Sequence, residues 1–260
     1  MVDNPHILLF IITGFIAGST MGMVTYRLPL MILKTSLPAE TQSRFNLWLP
    51  ASHCCHCMKP LNWYDNIPLL SWLCLRGKCR YCCRPISVRY LSLEAVCPLV
   101  ALACCFMHPT SVMLAMTVFL YFWFVLALSI IDLQHFLLPD KLTLPLLWLG
   151  LLFNARYDQV STEDAIIGAV AGYTSLWLVY WMVWLTARKE GIGFGDVKLL
   201  AAAGAWTGWQ SLPVILFSAS LIGLAYSLIL WTVKRSKPEI IPFGPSLALS
   251  GWGYFCWLTL

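Results

Sequence analysis

Residues 111–131 run for twenty-one positions without a charge, and the next residue is Asp132. That length matches the ~20 residues a helix needs to cross ~30 Å of hydrocarbon. Hydrocarbon offers no water to a backbone amide, so helices and closed barrels are the only spanning structures open to such a chain. The run has company. Residues 7–24, 91–107, 142–153, 165–187, 197–209, 212–233 and 241–260 are also apolar, which makes eight segments. The expected fold is an all-α polytopic membrane protein of about eight transmembrane helices. Charged residues make up 11% of the chain, against roughly 25% in a soluble domain. Residues 197–209 are short for a span and are expected to be partly buried or re-entrant. The N-terminus has no basic region ahead of its first apolar run, so it does not read as a secretory signal.

Between the first two runs lies a polar stretch of about 60 residues, the only part long enough to form a small domain outside the bilayer. The expected division is a first span over 1–27, a loop domain over 28–90 and a helical bundle over 91–260. Arg27, Leu28 and Pro29 are expected to end the first span. Within it Gly14, Gly18 and Gly22 recur every four residues, a small-residue stripe suited to close helix packing. Glu94, inside the second run, is expected to be interfacial or paired rather than catalytic.

The Lys and Arg residues give an orientation. If the spans alternate, sixteen of the seventeen fall on one side and only Arg156 on the other. Such a bias marks the cytoplasmic face and puts both termini outside. The net charge of +5 then reports topology, and no nucleic-acid partner is expected.

The loop carries two CxxC knuckles, Cys54/Cys57 and Cys79/Cys82, separated by 21 residues. Two such turns bring four thiolates into a tetrahedron around Zn²⁺, and the metal replaces the core that so short a loop cannot build. Cys55, Cys83, His53 and His56 are alternative ligands. Four thiolates leave no open coordination position, so the expected zinc is structural. Free thiols or transient disulfides are the competing reading, and a cytoplasmic address argues against stable disulfides. Between the knuckles, Asp65 sits in turn chemistry with Asn66 and Pro68 and is expected to shape the turn.

Two acids stand at the ends of apolar runs on the basic face, Asp132 and Asp196. Asp196 closes the sequence Gly191-Ile192-Gly193-Phe194-Gly195-Asp196, whose glycines free the backbone for close approach to a second chain. The plainer reading is an interhelical turn with Asp196 capping the next helix. An acid at such a place is by default a functional candidate. Two carboxylates brought together share one proton and titrate as a unit. The ionised member activates water and the protonated member polarises a scissile carbonyl. Asp140 is the competing first acid, but Pro139-Asp140 ahead of an apolar run suits a helix cap. No GxSxG elbow and no HExxH pattern is present.

These residues resemble the type IV prepilin peptidases, a family of membrane aspartyl peptidases, over nearly the whole chain. The likeness rests on Gly18-Ser19 with Tyr26-Arg27-Leu28-Pro29, and on Cys54-x-x-Cys57. It continues through Trp63-Tyr64-Asp65-Asn66-Ile67-Pro68, Leu75-Arg76-Gly77-Lys78-Cys79-Arg80-x-Cys82 and Pro85-Ile86-Ser87-x-Arg89-Tyr90. In the membrane part it rests on Asp132, Leu138-Pro139-Asp140, Gly193-Phe194-Gly195-Asp196-Val197-Lys198-Leu199-Leu200 and Ile241-Pro242-Phe243-Gly244-Pro245. Cys55 stands where the family has Pro, and Gly22 where it has Asn. The resemblance implies a bacterial inner-membrane enzyme with its active site at the cytoplasmic face. Such an enzyme cleaves the basic leader of type IV prepilins or type II secretion pseudopilins and then methylates the new amine with S-adenosylmethionine. It maps the catalytic aspartates onto Asp132 and Asp196, and maps the methyltransferase site onto no residue. Gly193 and Gly195 are expected to line a substrate groove. They form no nucleotide fingerprint, since no strand precedes them. The alternatives are a peptidase without methyl transfer and a non-enzymatic membrane adaptor with a zinc loop. Proton-coupled transport is disfavoured, because both acids lie at one membrane boundary.

Overall fold

The computed structural model describes residues 6–33, 46–47, 49, 51–54, 56–188, 193–234 and 241–260. Gly191, Ile192 and Cys55, named above, lie outside that set, as do Lys34, Arg44, Lys189, Arg235 and Lys237 of the seventeen basic residues. Among the described residues there are eight long helices: α1 (Ile7–Leu33), α2 (Val88–Met107), α3 (Val112–His135), α4 (Asp140–Tyr157), α5 (Thr162–Ala187), α6 (Phe194–Thr207), α7 (Leu212–Lys234) and α8 (Gly244–Thr259). Leu70–Cys74 adds a short helix, and Trp63–Asn66 and Trp209–Ser211 are single 3₁₀ turns.

The fold is all-α, as expected, but its helices are not eight equivalent spans. Among the described residues five stretches are long and apolar enough to cross a membrane: α1, α2, α3, Thr162–Thr186 of α5, and Trp209–Val233. The charged Asp140, Lys141 and Arg156 interrupt α4. The 14 residues of α6 and 16 of α8 rise about 21 and 24 Å, less than the ~30 Å hydrocarbon core.

Helix bounds differ from the apolar runs where local chemistry extends them. α1 does not stop at Arg27; it carries through Pro29 to Leu33. Proline there removes one backbone donor and does not end the helix. At its start, α2 gains a turn because Ser87 Oγ caps it, accepting from the Arg89 N–H at 3.3 Å. Similarly Ser161 Oγ accepts from the Asp164 N–H at 3.0 Å and starts α5. α3 closes at Phe136, a left-handed residue with φ 52° whose N–H reaches Asp132 O at 2.9 Å.

The chain forms two compact units, residues 1–123 and 124–260. In the first, α1 packs along α2, and the glycine stripe is the contact. A Cβ at Gly14 would collide with Pro98, and one at Gly18 would stand 2.8 Å from Glu94 Cα. At Gly22 a Cβ would meet the Tyr90 ring at 2.9 Å. Midway along α3, Trp123 Nε1 donates to Ala17 O of α1 at 3.0 Å. Glu94 is paired, as expected: its Oε2 accepts from the Leu69 N–H at 2.8 Å.

In the second unit α6 is the centre, packed on α4, α5 and α8. Val197 and every residue from Leu199 to Thr207 are buried. This explains why so short a helix is apolar all round: its neighbours, not lipid, cover it. Gly168 of α5 and Gly204 of α6 face each other so closely that a Cβ on either would collide with the other's backbone. On the α4 side, Trp206 Nε1 donates to Leu146 O at 2.9 Å. Buried Asn154 donates to Ala205 O at 2.9 Å and Trp206 O at 3.2 Å, while its Oδ1 accepts from the Val160 N–H at 3.2 Å. Each of these bonds satisfies a polar group that would be costly left alone.

Candidate active site

The four knuckle thiols converge. The sulfurs of Cys54, Cys57, Cys79 and Cys82 all lie within 4.8 Å of one another, with Cys54 and Cys82 at 3.8 Å. A tetrahedron of thiolates about 2.3 Å from a central zinc has edges of about 3.8 Å, so the donor set and its size both fit. The two knuckles repeat one geometry. The Met58 N–H reaches Cys54 O at 2.9 Å and the Cys83 N–H reaches Cys79 O at 3.0 Å, with φ of 56° at both Met58 and Cys83. The His56 and Tyr81 N–H groups each point at the first sulfur of their knuckle, both at 3.4 Å. Such donors favour thiolates. Burial raises the Cys54 thiol, but bonds from the Cys57 and His56 backbone and from the Cys79 and Cys57 thiols outweigh it and bring it down to about 6.

The alternative ligands stand apart. His53 Nδ1 meets Ala51 O at 2.8 Å, His56 Nδ1 meets Arg84 at 3.3 Å, and Cys83 is exposed. None of the ten described cysteines is in a disulfide. Asp65 shapes its turn and does more. Arg80 of the second knuckle donates to Asp65 Oδ1 from Nε at 3.0 Å and from Nη2 at 2.8 Å, tying the intervening loop to the knuckle.

In the second unit, Asp132 and Asp196 come together. Asp132 is in the last turn of α3 and only 6% exposed. Its Oδ2 accepts from the Gly244 N–H at 3.1 Å. Gly244 is the first residue of α8, and an unpaired N–H at a helix start is a natural partner for a carboxylate. Asp196 lies in the first turn of α6, near enough to feel the charge of Asp132. Gly193, the N-cap, lies beside its carboxylate: a Cβ there would stand 3.5 Å from Asp196 Oδ2, and the third helical position is where an acid reaches back to cap. Capping leaves Asp196 Oδ1 unexplained, since it is buried with no hydrogen-bond partner.

The glycines divide in role. Gly195 is helical, inside the first turn of α6, and a Cβ there would stand 2.6 Å from Leu138 Cβ. Its bare face is taken by the protein's own leucine. Gly193 is the N-cap with φ −72° and is exposed; a Cβ there would meet only Asp196 Oδ2, at 3.5 Å. Asp140 does not cap α4. Pro139 is the N-cap, and Asp140 Oδ1 instead accepts from Lys198 Nζ at 2.6 Å. A helix-start position fits both roles, and only the fold brings Lys198 within reach.

Sequence reasoning gave no role to Gly244, Leu138 or Lys198. Each lies within a quoted motif, but their partners are 112, 57 and 58 positions away (Gly244 to Asp132, Leu138 to Gly195, Lys198 to Asp140), and no local spacing signals such contacts.

Residues 119–228 match the model of the type IV leader peptidase family, and residues 12–108 match that of the bacterial peptidase A24 N-terminal domain. The chain is similar to the prepilin leader peptidase/N-methyltransferase of Stutzerimonas stutzeri, 42% identical over 99% of this chain and 93% of the relative. The protein of the same name from Aeromonas hydrophila is 46% identical over 96% and 90%, and that of Escherichia coli K12 is 42% identical over 96% and 97%. No solved structure matches the chain.

Proposed function

Because the chain belongs to the type IV leader peptidase family, we propose that it cleaves the leader of type IV prepilins or type II secretion pseudopilins and then methylates the amine it exposes. The observation that carries the peptidase half is the pairing of Asp132 with Asp196. Two acids from separate helices lie near each other, Asp132 held by the Gly244 N–H and Asp196 with one carboxylate oxygen buried without a partner.

The chemistry follows from that geometry. In this reading the pair shares one proton, with Asp132 as the ionised member and Asp196 as the protonated one. Asp132 draws a proton from a water as the water attacks the scissile carbonyl carbon. Asp196 gives its proton to the carbonyl oxygen as charge develops there. The tetrahedral diol collapses when the amide nitrogen takes the proton that Asp132 drew from water, a diol hydroxyl returns its proton to Asp196 and the C–N bond breaks. No metal takes part in these steps. Zinc in the four-thiolate site would be structural, closing the loop domain. S-adenosylmethionine would supply the methyl group for the released amine.

A scissile bond must reach the dyad in extended backbone, because a helix hides its carbonyls in hydrogen bonds. Exposed Gly193, beside Asp196, is the groove position the substrate strand passes. Gly195 contributes by positioning the acid. The basic residues on the dyad's side of the bundle support an inner-membrane enzyme that works at the cytoplasmic face.

Incubating the purified protein in detergent with a prepilin and labelled S-adenosylmethionine reads both halves of the reaction. Asp132→Asn and Asp196→Asn should each abolish cleavage while the protein still inserts. An Asp132→Asn variant that cuts normally would remove Asp132 from the mechanism.

A further inference from the structure

The dyad mechanism leaves the connector between α3 and α4 without a task, yet one of its side chains touches both halves of the site. A Cβ at Gly195 would stand 2.6 Å from Leu138 Cβ, 3.0 Å from its Cδ1 and 3.2 Å from its Cγ. A Cβ at Gly244 would stand 3.2 Å from the same Cδ1, and 2.6 Å from Asp132 Oδ2. Gly195 precedes Asp196. Gly244 supplies the N–H that holds Asp132. One leucine therefore packs against the two backbone points from which the two carboxylates are held.

Resting on the peptidase reading, we propose that Leu138 is a positioning residue that sets the separation of Asp132 and Asp196. Its place is fixed from both ends. Upstream, the Phe136 N–H bonds Asp132 O at 2.9 Å and turns the chain out of α3. Downstream, Pro139 holds an extended φ/ψ of −67° and 131°, and Asp140 is paired with Lys198, two residues beyond Asp196. The connector is thus anchored to the α3 turn that carries one acid and to the α6 turn that carries the other. Between those anchors the leucine is a spacer. It fills the volume over two glycines with branched hydrocarbon that neither hydrogen-bonds nor titrates.

The spacing matters because a dyad must span one water and one carbonyl. Misplacement of about 1 Å can cost about a hundredfold in rate. The same packing explains why glycine is needed at both 195 and 244. A side chain at either would push on Leu138, and at 244 also on the Asp132 carboxylate.

The test uses the full-length enzyme in detergent with a prepilin substrate, scored as kcat and KM for cleavage. Methyl transfer to an already cleaved pilin is measured alongside as a readout that does not use the dyad. Leu138→Ala should lower kcat about tenfold or more, with KM and methyl transfer near wild type. Leu138→Met, which keeps the volume, should recover most of the loss. Gly195→Ala should be impaired alone, and adding Leu138→Ala should not restore its kcat, since the nearest atom to the new methyl, the Leu138 Cβ at 2.6 Å, is kept by alanine. Wild-type kcat in Leu138→Ala would overturn the proposal. So would kcat, KM and methyl transfer failing together while Leu138→Met gives no rescue, which is plain loss of structure. If the wild-type protein cuts no prepilin, it is the peptidase reading that fails.

Discussion

At the scale of the residue, ion pairing separates structural acids from working ones. Asp140 and Asp65 each find a cation, and Asp65 does so although its Oδ2, like Asp196 Oδ1, is buried without a hydrogen-bond partner. The Asp140 carboxylate is 56% exposed and its Lys198 partner 29%, and exposed pairs are worth at most ~1 kcal/mol. Asp140→Asn should therefore leave cleavage within about fivefold of wild type, in contrast to the dead variants at Asp132 and Asp196. A steady-state assay of the three side by side decides it; equal loss in all three would move Asp140 into the reacting centre. Much of this was legible beforehand. Asp132 and Asp196 each close or open an apolar run, and the four cysteines announce themselves by spacing. What the chain's order did not disclose was how each is held. The N–H on Asp132 comes from the far end of the sequence, and the cation on Asp140 comes from α6. Such pairings are made by packing, which leaves no local pattern.

The elements carry their own tests. α5 and α6 touch through Gly168 and Gly204 with no room for a Cβ, whereas Gly253 of α8 has nothing within 4 Å of the place a Cβ would take. Gly204→Val should force the helices apart and destabilise by at least the ~1–3 kcal/mol of ordinary overpacking. Gly253→Ala should stabilise slightly, by at most ~1 kcal/mol of helix propensity. Thermal unfolding in detergent compares them, and equal midpoints would mean the α5–α6 contact yields easily. The knuckles form an element of their own, in which each turn repeats the other bond for bond. Purified protein should hold about one zinc per chain. Cys79→Ser should lose the metal and open residues 51–87 to protease; a metal-free wild type with that region still resistant would remove zinc from the account. Element lengths were the least legible part. Hydrophobicity finds where a helix can lie in lipid, but Pro29 tolerated inside α1 and the serine caps of α2 and α5 decide where it starts and stops.

For the molecule as a whole, the common direction of α4 and α6 orders the second unit. They begin together at Asp140 and Lys198 and still touch at Asn154 and Ala205. Tyr157 closes α4 about 25 Å from its start at ~1.5 Å per residue, whereas Phe194 opens α6 two residues before Asp196. A photocrosslinker at Phe194 should capture prepilin and one at Tyr157 should not. Equal capture would sink the groove beside Gly193. That α6 would be wrapped by protein rather than lipid was only half visible in its sequence. Its length argued against an ordinary span, but which helices surround it depends on the assembled fold.

The burial of α6 from Leu199 to Thr207 also bears on how the chain is made. An insertion machinery that weighs each emerging segment against lipid finds in α6 a short helix that carries both Asp196 and Lys198 and, beyond its first turn, has no face of its own for the bilayer. The order of synthesis answers this. α4 and α5 leave the ribosome first, so the glycine seat at Gly168 and the Asn154 amide are already waiting when α6 arrives. α6 is thus held in the membrane by docking onto its predecessors more than by its own partition into lipid. The dyad, completed only when α8 delivers Gly244, is among the last features of the protein to form.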